Sequence, residues 1–412
     1  MNNPPVPPEL RAAFDAHFGP PGPTLFVRSP GRINLIGEHI DYNNLSVLPM
    51  AIGRHVRLLV RPRADGRVRI ASLSSGFGAR EFLLGPEIPA YPVGDWGNYV
   101  KAAAQALARS HDGLHGVDAA LDTTLPVAAG LSSSSALVIG VALTLLGANG
   151  RTWDPVALAE EMAQAERYTG TQGGGMDQAI CAGAVEGTAS RVDFAPLRIT
   201  PVPVPSDWRF VVAHSLSRAE KSGGAQATYN RRTVECREAL ERVWERVGEG
   251  GRSGSGGRGV RGYRELLAER EAGELVKIGE QVLEGDLLKR FRHVVTEADR
   301  VRRAEAALRK ADLPTFGALL SASHTSLRDD YEVSSPALDE LVGIAEGAGA
   351  EGARLTGAGM GGCIIAAAPA ARVERVLDGL RKDFYGPRAP SGPLGDHLFL
   401  ADPAGGAMVT QL

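Results

Sequence analysis

The segment PGRINLIGEHIDYNN crowds Arg32, Glu38, His39 and Asp41 into ten residues. Any one of them alone reads as a solvated turn residue, but four together on a loop between apolar strands can grip a polar ligand. The theme returns at residues 166–178, ERYTGTQGGGMDQ, where a helical pattern ends, three glycines thin the backbone and Asp177 is presented with little bulk to shield it. A helix C-cap and loop would leave the same pattern.

Two small-residue segments could meet a nucleotide. LPVAAGLSSSSA, residues 125–136, runs straight into an apolar helical stretch. Small residues let a ligand approach the main chain, and a helix start offers unpaired N–H donors at the positive end of its dipole, which suits a phosphate. A serine-rich N-cap over a tight turn is the plainer alternative. No GxxxxGK[ST] occurs in the chain, so this is not a Walker loop. GAGMGG at 357–362 fits GxGxxG by letter, but CIIAAA after it reads as strand, whereas a dinucleotide fingerprint must open a helix. These glycines are read as a turn that lets backbone pack on the serine loop or on a nucleotide.

The scaffold must place these pieces, and 412 residues suffice for two domains. With 43% hydrophobic and 23% charged residues, disordered and fibrous classes are excluded. After a lead-in helix at 9–18, strand-like alternation in TLFVRSPGRINLIGEH, SVLPMAIGRHVRLLVRPR, VRIASL and REFLL makes the first hundred residues mostly β. Helices are predicted at 98–109, from Ala136 to Ala148, and from an Asp154 N-cap to about Tyr168. A strand pair is expected around 186–194 and 208–214. Then follow charged helices at 226–247, 262–283 and 286–311, others at 316–327, 335–348 and 371–383, and a last strand near 397–401. Such mixing gives class α+β rather than a βαβ ladder, with domains at 1–200 and 201–412. The low-complexity stretch 248–259 reads as a mobile surface loop.

Forty-five basic against forty-eight acidic residues leave a charge of −3, so no field recruits nucleic acid or anionic lipid, and a small-molecule partner is expected. Cys181, Cys236 and Cys363 are odd in number and far apart, which argues for reduced thiols rather than disulfides or a zinc site. Ala136–Ala148 is too short to span a bilayer. The opening MNNPPVPPEL carries no secretory pattern, and a cytoplasmic monomer is expected.

Taken in order, three segments resemble the galactokinase branch of the GHMP small-molecule kinases. PGRINLIGEHIDYNNLSVLPMAI is similar to its signature, LPVAAGLSSSSAL to its phosphate-binding second motif and LTGAGMGGC to its third. GTQGGGMDQAICAGAVEGTASRVDFAPLR, TYNRRTVECREAL and LRDDYEVSSPALDELV are similar to eukaryotic-type galactokinases and N-acetylgalactosamine kinases, so the resemblance covers nearly the whole chain. It implies an N-terminal domain like ribosomal protein S5 domain 2, a ferredoxin-like C-terminal domain and a site between them. The implied reaction moves the ATP γ-phosphate to the anomeric C1 hydroxyl of galactose, with Mg2+ as cofactor. Carried over residue by residue, Arg32 and Asp177 fall on catalytic positions, and Glu38, His39, Asp41, Gly174 and Tyr229 on sugar-contacting ones. Gly130, Leu131, Ser132, Ser133, Ser134 and Ser135 fall on phosphate-binding positions, with Gly357 and Gly359 in the third motif. Ser134 and Glu166 fall on magnesium positions, and Trp96 where the family often contacts adenine.

The sequence departs from the family pattern at Ile40, usually Thr, near Asn44 and Leu45, usually Gly, and at Ala128-Ala129, usually richer in glycine. Ile40 also occurs in N-acetylgalactosamine kinases, so that activity, or another sugar 1-kinase, is the alternative within the class. A sugar and ATP sensor without turnover would carry an incomplete serine motif, and Leu131 through Ala136 is intact. A dehydrogenase, the third class, would bind NAD in place of ATP.

Overall fold

The computed structural model describes residues 5–74, 76–126, 129–170, 173–217, 224–249 and 262–412, with side chains at 224–229 and 248–249 excepted. Alternation of apolar and polar residues after α1 (Pro8–Phe18) produces β1 (Leu25–Ile36), β2 (Leu48–Pro62), β3 (Arg67–Ser72) and β4 (Arg80–Leu83). Helix α2 (Gly97–Ser110) and β5 (Val117–Thr123) follow, then α3 (Ser133–Ala148), α4 (Pro155–Ala165) and α5 (Met176–Gly183). Every residue of α3 from Ser135 to Leu146 is buried, as expected of a helix apolar on all sides. It packs on β1 and β2 and fixes the serine loop at its own N-terminus. On the opposite face, Leu10 and Phe14 of α1 close over Phe26, Leu59 and Ala120. Asp154 caps α4 by accepting from the backbone N–H groups of Val156 and Ala157, with Pro155 at the first helical position.

A ribbon of β6 (Thr188–Asp193) and β7 (Arg198–Pro203) leads to β8 (Trp208–His214). Helices α6 (Gly224–Glu249), α7 (Tyr263–Glu269), α8 (Ala272–Val282), α9 (Gly285–Arg309), α10 (Leu313–Asp329) and α11 (Pro336–Gly347) come next. The chain then forms β9 (Gly352–Thr356), β10 (Cys363–Pro369), α12 (Val373–Gly379), β11 (Leu398–Ala401) and β12 (Met408–Gln411). β10 follows the glycine turn directly, the strand context that excludes a dinucleotide fingerprint. Strands order as β12-β1-β2-β5-β3-β4 in one sheet and β11-β8-β10-β9 in a second, antiparallel one. Helices α10 and α11 cover the second sheet, and α9 lies against α10 and reaches β1.

Four sequence expectations need correction. The strand at 188–193 pairs with β7, not with 208–214, because the short return through the 194–197 turn closes a hairpin first. The stretch 262–283 is two helices, since Arg270 is extended between them. The helix expected at 371–383 is α-helical only over Val373–Gly379 and continues as a π-helical turn through Tyr385. The last strand is not β11 but β12, which pairs with β1, so a cut at residue 200 leaves part of the first sheet on its far side. Residues 250–259 of the glycine-rich loop lie outside the described residues. Among the described residues, no helix is long and apolar enough to cross a membrane.

Candidate active site

Arg32 projects from β1 and meets Asp177, in the first turn of α5, with 2.7 Å between Nε and Oδ1. The same guanidinium donates from Nη1 to the carbonyl of Gly130 at 2.6 Å, and the Arg32 N–H donates to the Leu131 carbonyl at 3.1 Å. One side chain therefore joins the signature strand, the triple-glycine bend and the serine loop. Arg32 is only 2% exposed. Burial works against its charge, yet Asp177 and Glu38 outweigh it and hold its pKa above the ordinary value.

The turn after β1 carries Glu38, His39 and Asp41, all buried. Glu38 accepts from Arg354 at 2.6 Å; burial raises its pKa, and Arg354 and Arg32 pull against that rise. His39 sits at φ 62, with Nε2 3.2 Å from the Ala358 carbonyl and Nδ1 3.2 Å from the Tyr42 hydroxyl. A carbonyl only accepts, so Nε2 carries the proton and Nδ1 accepts from Tyr42. Burial lowers the His39 pKa to about 3 and keeps the ring neutral. Burial and the neighbouring Asp177 charge raise Asp41 to about 6. Gly174 lies against this turn so closely that a methyl group on it would fall 2.5 Å from Oδ2 of Asp41 and from the Tyr42 nitrogen.

Ser132 takes a left-handed conformation (φ 60) and α3 starts at Ser133, so the first N–H groups of the helix have no intrahelical acceptor. Gly130 and Gly357 touch: a methyl on Gly357, at φ 89, would lie 2.7 Å from the Gly130 carbonyl oxygen. Gly359 packs elsewhere, where a methyl would fall 2.2 Å from the Val333 carbonyl oxygen. Ser135 donates to Glu166 at 2.8 Å. One residue along a helix turns a side chain by about 100°, which leaves Ser134 half-buried and Ser135 on the buried face. Gln178 donates to the same Glu166 oxygen.

Trp96 has its ring 6.1 Å from Phe77 and under the Arg80 guanidinium at 5.7 Å, at the start of α2. Tyr229 lies in α6, outside the residues whose side chains are described.

Sequence reasoning missed the groups that hold the turn from behind. Arg354, fully buried in β9, donates to the carbonyls of Asn34 (2.9 Å) and Leu35 (3.0 Å) as well as to Glu38. His293 Nε2 is 3.0 Å from the Glu38 carbonyl. Glu297 accepts from the Gly37 N–H at 2.9 Å and from Ser323 at 2.7 Å; burial would raise its pKa, but Arg300 above all holds it down at about 2. The available signal was weak: Arg354 stands inside an apolar strand, whereas His293 and Glu297, at i, i+4, lie in a helix rich in charge along its whole length.

The galactokinase galactose-binding signature matches residues 12–62, the N-terminal domain of GHMP kinases residues 98–184 and their C-terminal domain residues 304–386. The galactokinase of Chloroflexus aurantiacus is 37% identical over 368 residues, 89% of this chain and 89% of that protein. The crystal structure of Lactococcus lactis galactokinase complexed with galactose superposes with a TM-score of 0.83 at 30% identity, covering 97% of this chain and 98% of that one. Methanococcus jannaschii mevalonate kinase, at 17% identity and a TM-score of 0.60, shares the fold. Motif order, site geometry and this similarity over nearly the full length together show that the chain belongs to the galactokinase family of GHMP kinases.

Proposed function

We infer that the protein transfers the γ-phosphate of ATP to the C1 hydroxyl of galactose. The observation that carries this reading is the Arg32–Asp177 pair, seated on the Gly130 carbonyl where the sugar turn and the serine loop meet. An anomeric hydroxyl attacks phosphorus only as its proton leaves. Asp177 is assigned as the acceptor, taking the proton late in the transfer. Arg32 keeps its charge throughout, holding Asp177 in place and countering charge that develops on the moving phosphoryl group. Glu38, His39, Asp41, Gly174 and Tyr229 are assigned to the sugar, and Gly130 through Ser135 with Gly357 to the phosphates. Gly359 is assigned to the nucleotide with Gly357, its backbone packed against the Val333 carbonyl. Trp96 is assigned to the adenine.

Glu166, which Ser135 bonds, and the half-buried Ser134 offer hard oxygen donors beside the phosphate loop, and Ser134 with Glu166 is a donor set that fits Mg2+, which needs few protein ligands when phosphate oxygens and water complete its shell. When bound, the ion would neutralise phosphate charge. The reaction is assigned to the cytoplasm and to a monomer.

Ile40 is buried like its neighbours Glu38, His39 and Asp41, so N-acetylgalactosamine stays the alternative substrate to test. Coupled ADP release measured with galactose, N-acetylgalactosamine, arabinose and glucose tests the reading. Galactose is expected to lead, with glucose poorer by roughly 10²-fold or more, because an epimer strands buried hydrogen-bonding groups. Equal kcat/KM for glucose and galactose would overturn it.

A further inference from the structure

Arg354 belongs to no motif that touches sugar or nucleotide by resemblance, yet its surroundings are specific. The guanidinium is fully buried and divides its donors between one carboxylate, Glu38 Oε2 at 2.6 Å, and two successive main-chain carbonyls of β1, Asn34 and Leu35. β9 is joined to the same stretch of β1 by a second link, the Thr356 hydroxyl, which accepts from the Asn34 N–H at 2.9 Å. The fork thus spans the strand end and the first acid of the turn, three and four residues further on. A planar guanidinium with fixed donor directions can set the orientation of a carboxylate while gripping a backbone, which a lysine ammonium cannot do.

Glu38 lies within electrostatic reach of Arg32 and Asp41, so its carboxylate borders the Arg32–Asp177 cluster. With one oxygen committed to Arg354, the direction of the other is determined. We propose that Arg354 is a positioning residue for sugar recognition, acting through Glu38 to aim its carboxylate at a galactose hydroxyl while leaving the phosphoryl-transfer groups untouched. This rests on the assignment of Glu38 to the sugar. The hydrogen bonds of the Arg354 side chain go to Asn34, Leu35 and Glu38, so the effect of changing it should divide cleanly between the two substrates.

The test compares galactose affinity by calorimetry with the kinetic constants for both substrates. Arg354→Lys is expected to weaken galactose binding and raise its KM about tenfold, with ATP KM and kcat at saturating galactose within about threefold of wild type. A galactose affinity left unchanged, or galactose and ATP constants that worsen together, would overturn the proposal. Removing one partner of a buried pair can unfold a protein, so a second comparison removes both charges. Arg354→Met combined with Glu38→Gln should bind galactose within about twofold of Glu38→Gln alone, because a residue acting only through Glu38 has nothing left to position. A further tenfold loss in the double variant would show that Arg354 acts by another route. Wild-type protein that binds galactose without releasing ADP would fail the kinase reading while the affinity comparison still decides this inference.

Discussion

Around Glu38, His39 and Asp41 the backbone is gripped by buried ionisable side chains that reach in from the second half of the chain, namely Arg354, His293 and Glu297. Around Ser132 to Ser135 the contacts are of another kind: a helix start, a left-handed serine and two glycines pressed main chain to main chain. The two regions solve different recognition problems. A phosphate chain is common to every nucleotide kinase and presents oxygens in all directions, so backbone N–H groups at a helix terminus suffice. A sugar differs from its epimers by the direction of one hydroxyl, and acceptors must be aimed. Buried charged pairs are costly to desolvate and therefore poor as sources of stability, but their fixed directions define geometry. Arg32 is the hinge between the two, bonded to an acid on one side and to the serine loop's carbonyl on the other.

The strongest way to break this division is at the hinge. Asp177→Asn is expected to lower kcat by roughly 10²- to 10⁴-fold, the range for losing a general base, with galactose affinity changed far less. Near-normal turnover, measured by ADP release, would remove Asp177 from the mechanism. On the phosphate side, Gly357→Ala forces a methyl to within 2.7 Å of the Gly130 carbonyl at a φ of 89. Strain of this type costs about 1–3 kcal/mol, which corresponds to roughly a tenfold to hundredfold rise in ATP KM. Galactose affinity, read by calorimetry without nucleotide, should stay within about threefold, and a comparable loss there would mean that the two regions are one cooperative unit.

Much of this arrangement was legible in the residues, and the parts that were not share a cause. The serine loop could be read because small residues before an apolar run have a local signature, and α3 follows it as expected. The spatial meeting of Arg32 and Asp177 followed from motif resemblance, not from any spacing along the chain, since 145 residues separate them. Register was harder. Four consecutive serines carry no pattern that could say which of them bonds Glu166, and in the structure it is Ser135. The return of β12 to β1 was missed because MVTQ is short, and its strand character comes from a partner almost four hundred residues away. Arg354 escaped because a lone polar residue in an apolar strand reads as a defect until its partner is known, and His293 and Glu297 because a helix dense in charge hides which of its polar residues face inward.

The finest test of the comparison is acidity, since ionisable groups hold the sugar turn. Asp41 carries the clearest signal: burial and the Asp177 charge bring its pKa up to about 6. If the ionised carboxylate accepts the sugar hydroxyl, affinity falls once the proton goes on. Galactose Kd should then rise below pH 6, by about tenfold at pH 5, while ATP KM stays flat over the same window. Stability moves with a different sign pattern. His39 and His293, lowered to about 3 and 4, stay neutral in the fold but bind protons when unfolded, so they withdraw stability as the pH falls below about 6.5. Asp41, raised on folding, favours the folded state as it protonates, and Glu297, held near 2, withdraws its contribution only below about pH 4.5. Binding measured at 25 °C on folded protein separates the two effects. Asp41→Asn should abolish the pH 6 step in galactose Kd, and a step that persists in that variant would place the titrating group elsewhere in the turn.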